Sequence, residues 1–169
     1  RSRASADAAS VAFFDQGGGA LFRELAEAAA AELGPVVCYG ASRSEPPGEN
    51  VRLVPTPRHR SVGMLNRMLG WGGFLLVAGA KGLTARGRPL LFFVTNPPLS
   101  PLLGLIGKTL KRQPYILLFY DMWPEALVRF GGMSDRALVV RLWRCMNRAA
   151  IRHADRVVKL PCLGDGILT

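Results

Sequence analysis

The chain has 169 residues, 49% of them hydrophobic and 20% charged, which suits one folded domain with a real core and excludes a disordered chain. Its 22 Lys and Arg against 12 Asp and Glu leave a net charge of +10, which favours an anionic partner such as phosphate, nucleic acid or an acidic membrane surface; the preponderance of Arg is also what a G+C-rich genome writes. Cys38, Cys145 and Cys162 form no C-x-x-C pair and have only His59 and His153 beside them, so no metal spacing exists, buried thiols in a reducing compartment are expected, and no apolar run is long enough to span a bilayer.

In chain order, residues 1–10 are small and polar, lack the apolar stretch of a signal peptide, and are expected to be a flexible segment. Residues 11–15 (VAFFD) read as a buried strand, Gly17-Gly18-Gly19 as a tight loop, and residues 20–33 as a helix with Phe22, Leu25, Ala29 and Leu33 on one face, stopped by Gly34 and Pro35. Residues 35–39 and 51–54 read as strands. Residues 61–86 mix Met, Leu, Trp71 and Phe74 with glycines and suit one or two helices. Residues 90–95 (LLFFVT) form a strand that ends at Asn96-Pro97-Pro98, because proline cannot continue a central ladder. Ser100-Pro101 reads as an N-cap followed by proline at the first helical position, opening a helix to about residue 112. A strand over 115–120, a long helix over 135–153 and a last strand over 156–160 complete the series. Strands apolar on both faces and separated by helices predict an α/β fold: a Rossmann-like, doubly wound parallel sheet with helices on both faces, spanning 11–169 as a single domain.

Such sheets bind ligands beyond the carboxyl ends of their strands, which singles out three segments. In Asp15-Gln16-Gly17-Gly18-Gly19, glycines let backbone N–H groups approach a phosphate or a sugar hydroxyl beside a helix N-terminus; the alternative is a tight turn with no ligand. It is not the dinucleotide fingerprint, since Phe22 stands where the third glycine belongs. The second segment is Thr95 to Ser100. In the third, Asp121-Met122-Trp123-Pro124-Glu125, a carboxylate at a strand end can bind a hydroxyl or act as a base, and an indole can stack on a sugar; the plainer reading is a helix cap and a core plug. Gly104 to Thr109 imitates a P-loop, but Leu102 occupies the first glycine position, and close helix packing explains it better.

Two basic surfaces follow. Arg141, Arg144, Arg148 and Arg152 share one helix face, opposite Val139, Leu142, Trp143, Met146 and Ala150, and suit anionic lipid head groups or phosphate as well as an ordinary solvated face. Residues 61–86, with Arg58, Arg60, Arg67, Lys81, Arg86 and Arg88 in or near them, suit a membrane interface or a helix pair covering the sheet.

The run TNPPLSPLLGLIGKTLKRQPYILLFYDMWPEAL resembles the N-terminal domain of family 4 glycosyltransferases, and is most similar to the bacterial branch that builds exopolysaccharide, O-antigen and capsule units on lipid carriers. That branch shows a strand ending in Ser/Asn-Pro-Pro and another ending in Asp-Leu-Trp-Pro-Glu; Ala154-Asp155-Arg156-Val157-Val158 resembles its Ala-Asp-Arg-Val segment. The resemblance covers 92–160 best. It implies the acceptor-side half of a GT-B fold, a retaining reaction without metal, and a nucleotide-sugar donor bound by a C-terminal domain absent from this chain. Gly17 and Gly18 would match the glycine loop that faces the donor phosphates, and Asp15 and Gln16 in the same segment are expected to bind substrate. Asp121 would be the catalytic polar residue, and Asn96, Trp123 and Glu125 would line the same cleft. Implied partners are a donor-binding domain or subunit, a lipid-linked saccharide acceptor and an anionic membrane surface, and the implied location is cytoplasmic, on the inner face of the plasma membrane. In place of the usual Ser-containing turn after the last strand stands Lys159-Leu160-Pro161-Cys162-Leu163-Gly164.

Alone, such a half would be inactive. The competing reading is a non-catalytic docking or scaffold subunit that recruits a separate donor-domain partner. Nucleic acid is disfavoured: no RRM, helix-turn-helix or zinc-finger signature occurs.

Overall fold

The computed structural model describes residues 9–40, 48–57, 64–85, 87–119, 123–130 and 132–159. In chain order the elements are β1 (Val11–Asp15), α1 (Ala20–Leu33), β2 (Val36–Gly40), β3 (Val51–Pro55), α2 (Met64–Thr84), β4 (Leu90–Val94), α3 (Ser100–Lys111), β5 (Tyr115–Phe119), α4 (Glu125–Arg129), α5 (Leu138–His153) and β6 (Arg156–Lys159). The six strands form one sheet in the order β3-β2-β1-β4-β5-β6, every neighbouring pair parallel. The chain starts in the middle, winds out one way, returns, and winds out the other, so the doubly wound α/β reading holds. All strand carboxyl ends share one edge, and the topological switch lies between β1 and β4.

Alternation along β1 separates two cores. Val11 and Phe13 join Phe22, Ala26 and Ala30 of α1 on one face. Ala12 and Phe14 join Phe74 and Ala78 of α2, Tyr115 of β5 and Ala150 of α5 on the other. Helices thus cover both faces, α1 on one and α2 and α5 on the other, with α3 beside them against Phe93 and Tyr115. The stripe that α1 buries is Phe22, Ala26 and Ala30, each four residues from the next; Leu33, expected on the inner face, is 56% exposed at the helix end.

Glycines set how closely the second layer sits. A Cβ on Gly82 of α2 would lie 2.7 Å from the Phe14 ring, and one on Gly104 of α3 would lie 2.6 Å from Tyr115. The glycines between residues 61 and 86 therefore do not divide the segment: over its described part it forms the single 21-residue helix α2, with Gly79 and Gly82 as contact points. No helix among the described residues is long and apolar enough to cross a membrane.

Other expectations shift. Ser100 does not cap α3; its hydroxyl donates to the Val94 carbonyl at 2.6 Å, and Leu99 takes the cap position without a side-chain bond. The helix expected over 135–153 begins only at Leu138, and the short α4 precedes it. On α5 the fully buried residues are Val140 and Ala150, whereas Leu142 and Val139, expected in the apolar stripe, are 57% and 48% exposed. Cys38 is buried, and burial first, then the Asp15 charge, pushes its thiol up to about 12. Cys145, by contrast, is exposed, because it stands on the outward face of α5; Cys162 lies outside the described residues.

Tyr115 ties three elements together at the other end of β5. Its hydroxyl donates to the Ala150 carbonyl of α5, and its N–H donates to the Asp155 carboxylate, which also receives Lys108 Nζ of α3 at 2.8 Å. These partners hold the Asp155 carboxyl below its ordinary range, the Lys108 hydrogen bond first and the Tyr115 N–H second.

Candidate functional site

The carboxyl edge of the sheet gathers two differently built corners. The first follows β1. Asp15 is 7% exposed, and its carboxylate turns back onto its own loop, accepting Gly17 N–H at 2.8 Å and Gly18 N–H at 2.9 Å. Gly18 adopts φ of 58°, where a side chain would strain the backbone. Gly19 then opens α1 with no side-chain cap, leaving the first-turn N–H groups of the helix at the loop. On the next strand, Gly40 must lack a side chain because a Cβ there would sit 2.5 Å from the Asp15 carbonyl.

Gln16 is 2% exposed and faces inward. Its amide nitrogen donates to Pro57 O at 3.0 Å and Gly70 O at 2.9 Å, stitching the β1 turn to the residues after β3 and to α2. Its Oε1 is buried and has no hydrogen-bond partner among the described residues. Gln16 therefore shapes the corner from behind, while the Gly17 and Gly18 backbone forms its surface. Beside it, on β4, Thr95 is buried and donates its N–H to Leu118 O, and Asn96 is half-buried ahead of a cis bond to Pro97.

The second corner follows β5. Asp121, expected to be catalytic, lies outside the described residues, as do Tyr120 and Met122. The chain resumes at Trp123, which is half-buried, joined to Pro124 by a cis bond, and set edge-on to Trp71 of α2 at 6.0 Å between ring centroids. Asn147 of α5 donates to the Trp123 carbonyl at 2.6 Å. Glu125 accepts from Arg144 Nε at 2.9 Å, and Asp135 accepts from the same guanidinium at 2.7 Å. The two carboxylates raise the Arg144 pKa above its ordinary value, the Asp135 bond first and the Glu125 bond second.

These contacts sort the expected site residues. Asp15, Gln16, Gly17 and Gly18 do meet in one corner, next to the strand that leads to Asn96. Trp123 and Glu125 meet in the other, with Asn147 and Arg144. The arginine stripe divides: Arg144 is drawn in between two carboxylates, whereas Arg141, Arg148 and Arg152 are exposed. His153, also exposed, has Nδ1 2.8 Å from Ala149 O, and His59 lies outside the described residues. Sequence reasoning did not find Asn147, Asp135, Gly40 or Trp71. Only the spacing of Asn147, three residues beyond the flagged Arg144 on the same helix, hinted at it.

Among the described residues no group of three His, Cys, Asp or Glu side chains could hold a metal ion. Comparison with known proteins adds one match: the model of the glycosyl transferase 4-like domain fits residues 16–160, most of the 169. No curated protein matches the chain.

Proposed function

Because the chain belongs to the glycosyl transferase 4-like family, we propose that it is the acceptor-side half of a retaining, nucleotide-sugar-dependent glycosyltransferase. In this reading a second domain or subunit holds the donor, no metal takes part, and the acceptor is a lipid-linked or polysaccharide chain of the bacterial exopolysaccharide, O-antigen and capsule type. The observation that carries the reading is the β1 corner at the topological switch. There Asp15 takes up the Gly17 and Gly18 N–H groups and so fixes the turn, φ 58° at Gly18, and the first-turn N–H groups of α1, with no side-chain cap among the described residues, are left facing the corner. Backbone donors of this kind suit the phosphates of a donor brought across a cleft. Asp121 and Asn96 would contact the reacting sugars.

Docking to the inner face of the plasma membrane belongs to the same proposal. Arg141, Arg148 and Arg152 are exposed on α5, and Leu138 and Leu142, 78% and 57% exposed, stand among them. Apolar side chains set among arginines suit the head-group region of an anionic bilayer. A second reading, a docking subunit without catalysis, draws on the engagement of both carboxylates described at this edge, Asp15 and Glu125.

Two assays test this. In co-sedimentation, the chain is expected to bind anionic liposomes, to release them at high salt, and to lose binding when Arg141, Arg148 and Arg152 are changed together to Gln; no binding to any liposome overturns the docking part. Transfer of labelled sugar to a lipid extract, with a family 4 donor half supplied, is expected to fall at least about tenfold in Gly18→Val and in Asp121→Ala. Transfer that ignores both changes overturns the enzyme part. Docking without any transfer favours the second reading.

A further inference from the structure

The two corners of the carboxyl edge share one support, the early turns of α2. Asp15 fixes the β1 turn from within, through Gly17 and Gly18. Gln16 points the other way, and its Nε2 donates to the Gly70 carbonyl of α2 at 2.9 Å. The same nitrogen donates to the Pro57 carbonyl at 3.0 Å. Pro57 in turn lies against α2 three residues further on, where a Cβ on Gly73 would stand 3.3 Å from its Cγ. Gln16 therefore holds α2 twice, by a bond to the helix and by a bond to the residue on which the helix leans.

The residue after Gly70 carries the contact onward. Trp71 stands edge-on to Trp123, with ring centroids 6.0 Å apart and planes at 63°. With Phe119, Asn147 and Ile151, Trp123 walls an open groove of about 300 Å³ at the β5 corner. Edge-on aromatic pairs have a preferred geometry, and a close-packed interior passes a displacement on instead of absorbing it. A shift of α2 at Gly70 thus reaches the wall of the groove across a single ring contact.

We propose that Gln16 is a positioning residue that acts from behind the site: by seating α2 it sets where Trp123 and the groove beside it stand relative to the β1 turn. Its meaning in transfer rests on the acceptor-side reading above. Donor phosphates at the β1 turn and an acceptor hydroxyl at the β5 corner must meet in register, and a misplacement of about 1 Å costs about a hundredfold in rate. Asp15 then governs the shape of the β1 turn and Gln16 its placement, two separate tasks on adjacent residues.

The tryptophan pair reports the seat directly. Two indoles in edge-on contact give coupled bands of opposite sign in far-ultraviolet circular dichroism, and Trp71→Phe should abolish them. Gln16→Met keeps the length of the side chain and removes the donor, while Oε1 has no partner among the described residues to lose. It is expected to lose most of the coupled signal. Gly73→Ala tests the same seat from the helix side: its Cβ presses on Pro57, yet alanine favours a helix over glycine, so a changed signal there does not come from unfolding. Val36→Ala, a core loss on the opposite face of the sheet, is the control and should lower the melting temperature while leaving the signal unchanged. In sugar transfer with a family 4 donor half supplied, Gln16→Met is expected to lower kcat about tenfold and to leave KM for donor and acceptor within about twofold. A signal that survives Trp71→Phe, a signal unchanged in both Gln16→Met and Gly73→Ala, or a kcat unchanged in Gln16→Met overturns the positioning role. Failure of the unaltered chain and donor half to transfer any sugar would overturn the enzyme reading instead, and the coupled signal would then decide the link between the corners by itself.

Discussion

The two corners of the carboxyl edge are held by opposite means. The β1 corner braces itself: Asp15 receives the N–H groups two and three residues downstream, and glycine supplies the one backbone conformation that the turn needs. The β5 corner is braced from elsewhere, by Asn147 and Arg144 on α5, with the linking hydrogen bonds spanning 24 and 19 residues. A turn of the first kind keeps its shape as long as its own few residues are intact. One of the second kind inherits its shape from the seating of a helix, so anything that shifts α5 also shifts Trp123 and Glu125.

That contrast can be broken by substitution, and the largest effect belongs to Asp15. Asp15→Ala leaves two backbone donors without their charged acceptor, and should cost about 3 kcal/mol, roughly 10 °C in Tm by calorimetry. The change should not alter the environment of Trp123. Asn147→Ala should cost only about 1 kcal/mol, roughly 3 °C, while changing tryptophan emission, because the Trp123 carbonyl loses its donor. Glu125→Gln should have a smaller effect again, and the gap should close in high salt, since the Arg144 pair is screened by solvent.

Asp155 offers a reference outside both corners. Its carboxyl is held low by Lys108 and the Tyr115 N–H, so the folded state binds its proton less readily than the unfolded chain does. The stability it contributes is complete above the ordinary carboxylate range, about pH 4, and is lost as pH falls through the depressed value. Thermal melts at descending pH should show this loss, and Lys108→Met should flatten it.

The same contrast explains what was legible in the sequence. The order of strands and helices was, because buried strands such as YILLF and stops such as Asn96-Pro97-Pro98 are written in contiguous residues. The β1 corner was legible for the same reason, since its bracing residue lies two positions from its glycines. The inward turn of Gln16 was not, because the carbonyls it serves lie 41 and 54 residues away. On α5, the one-face arginine pattern was visible, but its division was not. Whether Arg144 points to solvent depends on Glu125 and Asp135, which no helical spacing reveals. Leu142 was misplaced because apolar periodicity identifies an amphipathic face without saying that every apolar residue lies on it.

The glycine contacts that seat α2 and α3 on the sheet carry a further consequence. With Gly82 against Phe14 and Gly104 against Tyr115, the separation between layers is fixed by atoms that have no room to grow. Sequence drift at those positions would be confined almost to glycine. The outward side of α5 has no such restriction, since Leu138, Leu142 and Arg148 face open space. A lineage built on this frame would therefore change the chemistry of its surface along α5, turn by turn, without refitting a single core contact.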